Sequence, residues 1–207
     1  MTIKSQTELA TYKKAAQLSQ KILSKLRDAI KVGVRPIELD NLAGDLCKKY
    51  HVRPSFRGVV SGNLTYSFNS CISINDEILH GVPSYKRKIQ EGDLIKIDFG
   101  IIYQKLNTDH CFTVGVNKVS AKDQKILEVG RQAVLNAVKL AKPGNHAGDL
   151  GHAMHSTAYR AGFDTLKQYV GHGIGHSLHE HPEIPAYGQP GTGAELKKDM
   201  IICVECQ

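Results

Sequence analysis

The stretch Leu94-Ile95-Lys96-Ile97-Asp98-Phe99-Gly100-Ile101-Ile102, followed by Asp109-His110-Cys111-Phe112-Thr113-Val114-Gly115-Val116, reads as the two strands of a hairpin. Apolar residues dominate both runs, and the polar stretch from Gln104 to Asn107 lies between them. Asp98 and Asp109 break the pattern. An acid inside or at the edge of an apolar strand is uncommon unless it is paired or bound to a metal. A hairpin centred on Tyr103-Gln104 sets residue 98 opposite residue 109. Directly opposed side chains lie about 4.5–5.5 Å apart at Cβ. Two carboxylates about 4 Å apart repel by about 4 kcal/mol at an effective dielectric of about 20. A shared proton, a basic side chain or a cation must offset that, and a divalent metal with oxygen ligands does so most economically.

Outward from the hairpin the periodicity becomes helical. Leu9, Tyr12, Ala16, Leu23, Leu26 and Ile30 recur at helical spacing between about Glu8 and Lys31, with Ser5 and Glu8 as a capping box and Gly33 as the stop. Pro36 opens a second helix to Lys49, with Ile37, Leu42 and Leu46 on one face. From Pro54 the chain turns to short, glycine-punctuated strands, and Cys71-Ile72-Ser73-Ile74-Asn75 alternates with period two. Beyond the hairpin, Ser120 and Asp123 open a third helix to Leu140, with Ile126, Val129, Val134, Ala137 and Leu140 as its apolar stripe. Pro143-Gly144 breaks it, a fourth helix spans Ala147 to Ala161, and Met200 to Cys206 reads as a final strand. Two helix pairs, each followed by strands, predict an α+β fold with a weak internal duplication, its helices covering one face of a mixed or antiparallel sheet. No Ser- or Pro-rich linker separates the halves, which predicts a single domain over 1–207.

With 207 residues, 41% hydrophobic and 23% charged, the chain can bury a core of its own and has the composition of a soluble globular protein. No run approaches the roughly 18 apolar residues of a membrane span, and the polar start Met1-Thr2-Ile3-Lys4-Ser5-Gln6 carries no apolar signal core. Five cysteines without a repeated spacing argue against a disulfide framework, for the reduced thiols of a cytoplasm, and for packing as small apolar side chains. The net charge of +7 is spread along the chain with no long basic block, so it biases the choice of partner only mildly towards anionic ones.

The chemistry concentrates in two further places. Gly171-His172-Gly173-Ile174-Gly175-His176-Ser177-Leu178-His179-Glu180-His181-Pro182 holds four histidines among glycines that let a ligand approach the backbone. Glycine at every second position opposes the helix a His-Glu-x-x-His zinc site needs. Glu205, in Met200-Ile201-Ile202-Cys203-Val204-Glu205-Cys206, is again an acid among apolar residues, and His80 stands alone in Ile78-Leu79-His80-Gly81-Val82-Pro83. Surface histidines in a glycine-rich loop and a strand-end glutamate facing water are the competing readings. Together, two Asp, one Glu and two or more His make a mixed oxygen and nitrogen donor set, which suits a hydrolytic metal centre better than a closed thiolate zinc site.

Taken in order, Cys71-Ile72-Ser73-Ile74-Asn75, His80-Gly81-Val82-Pro83, Gly92-Asp93, Ile97-Asp98, Asp109, Gly171-His172-Gly173-Ile174-Gly175, Leu178-His179-Glu180 and Val204-Glu205 resemble a type I methionine aminopeptidase over nearly the whole chain. The resemblance implies the pita-bread fold, an α+β arrangement of pseudo-twofold halves with helices packed on a central, mostly antiparallel sheet. It implies that Asp98, Asp109, His172 and Glu205 bind up to two divalent metal ions (cobalt, manganese, iron or zinc). It also implies that His80 and His179 are catalytic and contact substrate, and that Tyr66, Cys71 and Leu178 line the pocket for the methionine side chain. The activity implied is removal of N-terminal methionine from peptides and nascent chains by attack of metal-activated water. The implied setting is a cytoplasmic monomer with the ribosome as a further partner and no membrane.

Two positions depart from the family pattern. The family carries a further bridging glutamate on a strand beyond the position of Glu205, and a proline where this chain has Cys206. Residues 1–207 are therefore expected to form one metallopeptidase domain without the family's C-terminal strand or strands. Losing second-shell partners of a metal typically costs about 10–100-fold in affinity or activity, and losing a ligand costs more. Two alternatives follow: a catalytically impaired pita-bread module that binds peptides or an acidic partner, and an X-Pro or creatinase-like hydrolase.

Overall fold

The helices expected ahead of the hairpin form where the periodicity places them. In the computed structural model, which describes residues 1–207, α1 spans Gln6–Asp28 and α2 spans Pro36–Lys49. α1 stops short of the expected Lys31, because the N–H groups of Ala29 and Ile30 turn to the carbonyls of Leu26 and Arg27 and Gly33 donates to Ile89 O at 2.8 Å. The strands that follow are β1 (Arg53–Pro54), β2 (Val60–Ser61), β3 (Leu64–Thr65), β4 (Cys71–Ile74), β5 (Leu94–Phe99), β6 (Ile101–Tyr103), β7 (Leu106–Asn107) and β8 (His110–Gly115). All pairings are antiparallel, in the orders β4-β5-β8, β1-β6-β7 and β2-β3. These elements make one compact unit, Thr7–Asp123.

Period-two alternation divides the β4-β5-β8 sheet into two chemically different faces. Ile72, Ile74, Ile95, Ile97 and Phe99 share one core with Ile22, Leu23 and Leu26 of α1 and Leu39, Ala43, Leu46 and Cys47 of α2. Ile95, Ile97 and Phe99 are 0% exposed. Burying a side chain of that size stabilises by about 1.5–3 kcal/mol each. The intervening residues Lys96 and Asp98 are half-buried on the opposite face.

The register corrects the expected facing of the two aspartates. The turn falls on Gln104-Lys105, both in the left-handed region with φ of 47° and 69°, and pairs Tyr103 with Leu106 and Ile102 with Asn107. Asp98 consequently lies opposite Cys111, not Asp109. Thr108 N–H donates to Ile101 O at 2.9 Å, which continues the same register and sets Asp109 against Gly100. Because the shift is by two residues, Asp109 stays on the Asp98 face as its diagonal neighbour, at about 7–8 Å.

The second unit comprises Met1–Gln6 and Gln124–Gln207. It holds α3 (Ala121–Leu140, from Gln124 on), α4 (Ala147–Arg160) and the antiparallel pair β9 (Gly171–Gly173) and β10 (Glu180–Ile184). Ser120 caps α3: its hydroxyl accepts from Asp123 N–H at 3.1 Å and donates to the Asp123 carboxylate at 2.6 Å. The buried face of α3 matches the expected stripe only in part: Ala137 is buried and Val129 and Val134 are half-buried, as expected, but Ile126 and Leu140 are not. Ala133 and Ala137 pack with Ala147, Leu150 and Met154, while Ile126 and Leu140 are 42% and 37% exposed. The small side chains of α3 leave room for the larger Leu150 and Met154 of α4. The expected strand at Met200–Cys206 is present only as isolated bridges, Thr2 to Met200 and Gly173 to Ile202.

Candidate active site

In the first unit the site face of the sheet is built residue by residue. Asp98 lies between Cys71 of β4 and Cys111 of β8 in the ladder, and the same face carries Ser73, Lys96 and Thr113. Cys71 is 6% exposed, and burial pushes its thiol up to about 12, with the negative charges of Asp98, Asp109 and Asp40 acting in the same direction against a hydrogen bond with Tyr66. Tyr66 donates its hydroxyl to Ser70 O at 2.8 Å, and burial raises its pKa too. The ring of Phe68 meets Tyr66 edge-on at 5.7 Å.

His80 is presented by a loop pressed against β4. Ile72 N–H donates to Gly81 O at 2.8 Å, and Gly81 N–H donates to the Ser73 hydroxyl at 3.1 Å. A Cβ on Gly81 would stand 2.4 Å from Ile72 O, so only glycine fits there. His80 itself adopts a left-handed φ of 54°, a conformation that the flanking hydrogen bonds impose. Lys96 Nζ donates to Ile78 O on the same loop. Desolvation holds the His80 imidazole below its ordinary pKa, Asp109 pulls it up, and Lys96 pushes it down.

In the second unit His172 sits between two glycines for a steric reason. A Cβ on Gly171 would lie 2.4 Å from Cys203 O, and one on Gly173 would lie 2.2 Å from His181 O. Backbone therefore closes on β9 from both sides, and Cys203 N–H donates to His172 O at 2.7 Å. The imidazole of His172 is buried, and its Nδ1–H donates to Gly173 O at 2.8 Å. That bond places a proton on Nδ1, and Nε2 lies 3.5 Å from Glu205 Oε1. The ring of His179 stands edge-on to His172 at 4.5 Å. Leu178 is half-buried on the same loop, whereas His176 and His181 are exposed.

The structure thus gathers Asp98, Asp109, Cys71, Tyr66 and His80 within one unit, and His172, His179, Leu178 and Glu205 within the other. Carboxylate oxygens and an imidazole nitrogen with its second nitrogen already bonded to a carbonyl are the donors a divalent cation takes in a hydrolytic centre, so the residues fit such an ion. All five cysteines are free thiols, but Cys111 is exposed rather than packed as expected. Asp40, Asn69 and Ser70 did not stand out in the sequence: their hydrogen bonds join positions 29 and 30 residues apart, and no local pattern signals such a pairing.

This is the equipment of a metal-dependent hydrolase, and the chain belongs to metallopeptidase family M24, whose model matches residues 10–207. The family brings with it the use of divalent metal. The chain is 36% identical over 203 residues to the methionine aminopeptidase of Clostridium acetobutylicum, covering 98% of this chain and 80% of that one. It is 36% identical over 205 residues to the methionine aminopeptidase of Aquifex aeolicus, covering 97% and 80%. The solved methionine aminopeptidase of Thermotoga maritima matches 100% of this chain and 82% of its own, with a TM-score of 0.92 at 35% identity. The prolidase of Pyrococcus furiosus matches 99% of this chain and 57% of its own, with a TM-score of 0.84 at 28% identity. The fold is the pita-bread fold of these relatives.

Proposed function

We propose that this chain is a methionine aminopeptidase that removes N-terminal methionine from peptides and nascent chains. The observation that carries this reading is the match of the whole chain to a solved methionine aminopeptidase at a TM-score of 0.92, where the prolidase reaches 0.84 over 57% of its own length. Asp98, Asp109, His172 and Glu205 are the ligands we assign to one or two divalent ions, with cobalt, manganese, iron and zinc as candidates. A bound divalent ion supplies Lewis acidity and lowers the pKa of a water from about 15.7 toward about 7.

The chain's own residues supply the rest. The bond from His172 Nδ1–H to Gly173 O holds a proton on Nδ1, so that Nε2 is the nitrogen that would face an ion. Asp98, Asp109 and Glu205 would offset the positive charge of bound divalent ions. His179 donates an N–H toward the oxyanion that develops on the first peptide carbonyl. His80, kept neutral by desolvation, hydrogen-bonds the substrate backbone. Tyr66 and Cys71 in one unit and Leu178 in the other are the residues we assign to the methionine side chain, and the Tyr66 hydroxyl is already committed to Ser70 O.

We assign residues 1–207 to a single metallopeptidase domain, supported by one family match running from residue 10 to 207. A cytoplasmic monomer that meets nascent chains at the ribosome accords with free cysteines, a charge of +7 and no helix long and apolar enough to cross a membrane. The test is release of methionine from Met-Ala-Ser by the purified chain. Release is expected with added manganese or cobalt, abolished by chelation and restored on readdition. No release with any of the four metals would overturn the reading.

A further inference from the structure

Asp40 is an acid on α2 that is 3% exposed, yet no cation pairs with it. Its carboxylate is spent on two consecutive residues far along the chain. Oδ1 accepts from Asn69 N–H at 2.9 Å, from Ser70 N–H at 2.8 Å and from the Ser70 hydroxyl at 2.8 Å. Oδ2 accepts from Asn69 Nδ2 at 3.0 Å, and the same amide group donates to Asp40 O at 3.0 Å. One turn further along α2, Gly44 makes room for that amide: a Cβ there would stand 2.9 Å from Asn69 Nδ2.

The two residues so held lead directly into Cys71, the first residue of β4. The remaining backbone acceptor of Ser70 is taken by Tyr66, whose hydroxyl donates to Ser70 O at 2.8 Å with Gly81 O at 3.5 Å. Ser70 is therefore gripped by Asp40 through its N–H and hydroxyl and by Tyr66 through its carbonyl. Displacing Ser70 displaces Cys71 by covalent connection and Tyr66 by loss of its acceptor. A staple that merely fastened α2 to the sheet would need one or two of these bonds and would not end at both of these side chains.

We propose that Asp40 is a positioning residue for the side-chain pocket: through Ser70 it sets where Tyr66 and Cys71 stand, and so sets the preference for methionine over shorter N-terminal residues. This deepens the preceding reading and rests on it for the identity of the pocket. Asp40 touches no substrate; it acts through the residues that do.

The test compares the full chain with Asp40→Ala and with the exchanged pair Asp40→Asn with Asn69→Asp, which restores a carboxylate facing an amide. Three readouts are taken: site-resolved iodoacetamide labelling of Cys71 by mass spectrometry, KM and kcat for Met-Ala-Ser against Ala-Ala-Ser, and manganese binding by calorimetry. Removing hydrogen bonds to a charged group should raise Cys71 labelling and the KM for Met-Ala-Ser by about tenfold or more, narrow the preference over Ala-Ala-Ser, and leave kcat and manganese binding within about threefold. The exchanged pair should recover most of the loss. Unchanged Cys71 labelling and preference in Asp40→Ala would overturn the proposal, as would a fall in kcat and manganese binding as large as the rise in KM that the exchanged pair does not repair. If Asp40→Ala does not fold, Ser70→Ala gives the same readouts. Should the wild-type chain release no methionine, the peptidase reading falls by itself, and Cys71 labelling still decides whether Asp40 holds this wall.

Discussion

The two units carry their functional side chains by opposite means. Asp98 rides on a ladder, β5 with β8, and Asp109 stands immediately ahead of β8; the other face of that ladder is anchored by Ile95, Ile97 and Phe99 in a core shared with two helices. His172 and Glu205 have almost no ladder to hold them, since β9 has three residues and the segment around Glu205 makes only isolated bridges. There the placement comes from backbone pressed against glycine, with a proton held on His172 Nδ1 by a single carbonyl. A side chain on a regular ladder can be changed with little effect on the fold, whereas one held by close backbone contact cannot.

The sharpest way to break that contrast is Asp109→Asn. Losing a ligand, as we assign Asp109, should lower metal binding and methionine release by more than about 100-fold, beyond the usual cost of second-shell losses. The metal-free melting temperature should move by no more than about 2–4 °C, the equivalent of about 1 kcal/mol at this size. Calorimetry and thermal melts read both, and a large fall in the metal-free melting temperature would mean the carboxylate half is as delicately held as the other. Gly173→Ala should give the converse. Its Cβ meets His181 O at 2.2 Å, so both metal affinity, by about 10–100-fold, and melting temperature should fall together. A variant with normal stability would show that backbone closure does not place His172.

The smallest effect concerns protons at His80. Desolvation favours its neutral form in the folded chain, so its NMR titration midpoint should lie below 6.5. The fold then binds that proton less readily than the unfolded chain does. Stability relative to His80→Asn should be fully expressed above pH 6.5 and decline as pH falls through the folded-state value. A difference that grows on acidification would reverse the assignment of the shift.

Most of the first unit was legible because its signals are local. Pro36 and the run to Lys49 gave α2 its exact limits, and the alternation of Ile95, Ile97 and Phe99 gave the buried face. The hairpin centre was missed because Gln104 and Lys105 take left-handed conformations without the glycine or asparagine that usually marks them. Parity rescued the conclusion: a slip of two residues leaves Asp98 and Asp109 on one face. The stripe of α3 is legible at Ala137 but not at Ala133, which is buried where Ile126 and Leu140 are exposed, a choice made by the partner helix and invisible in α3 alone. His172 was legible as chemistry, but its neighbouring glycines were read as freedom to bend when they serve as clearance for backbone. Asp40 was illegible altogether, for its partners lie across a loop and several strands.

Along Leu94–Phe99, odd-numbered positions belong to the hydrocarbon interior and Asp98 to the face we assign to metal binding. The two demands are interleaved but never share a residue. Point changes can therefore retune either one separately, but inserting or deleting a single residue in this segment would exchange them, driving a carboxylate inward and isoleucines out. What natural variation can least tolerate here is an altered count of residues, more than an altered identity at most of them.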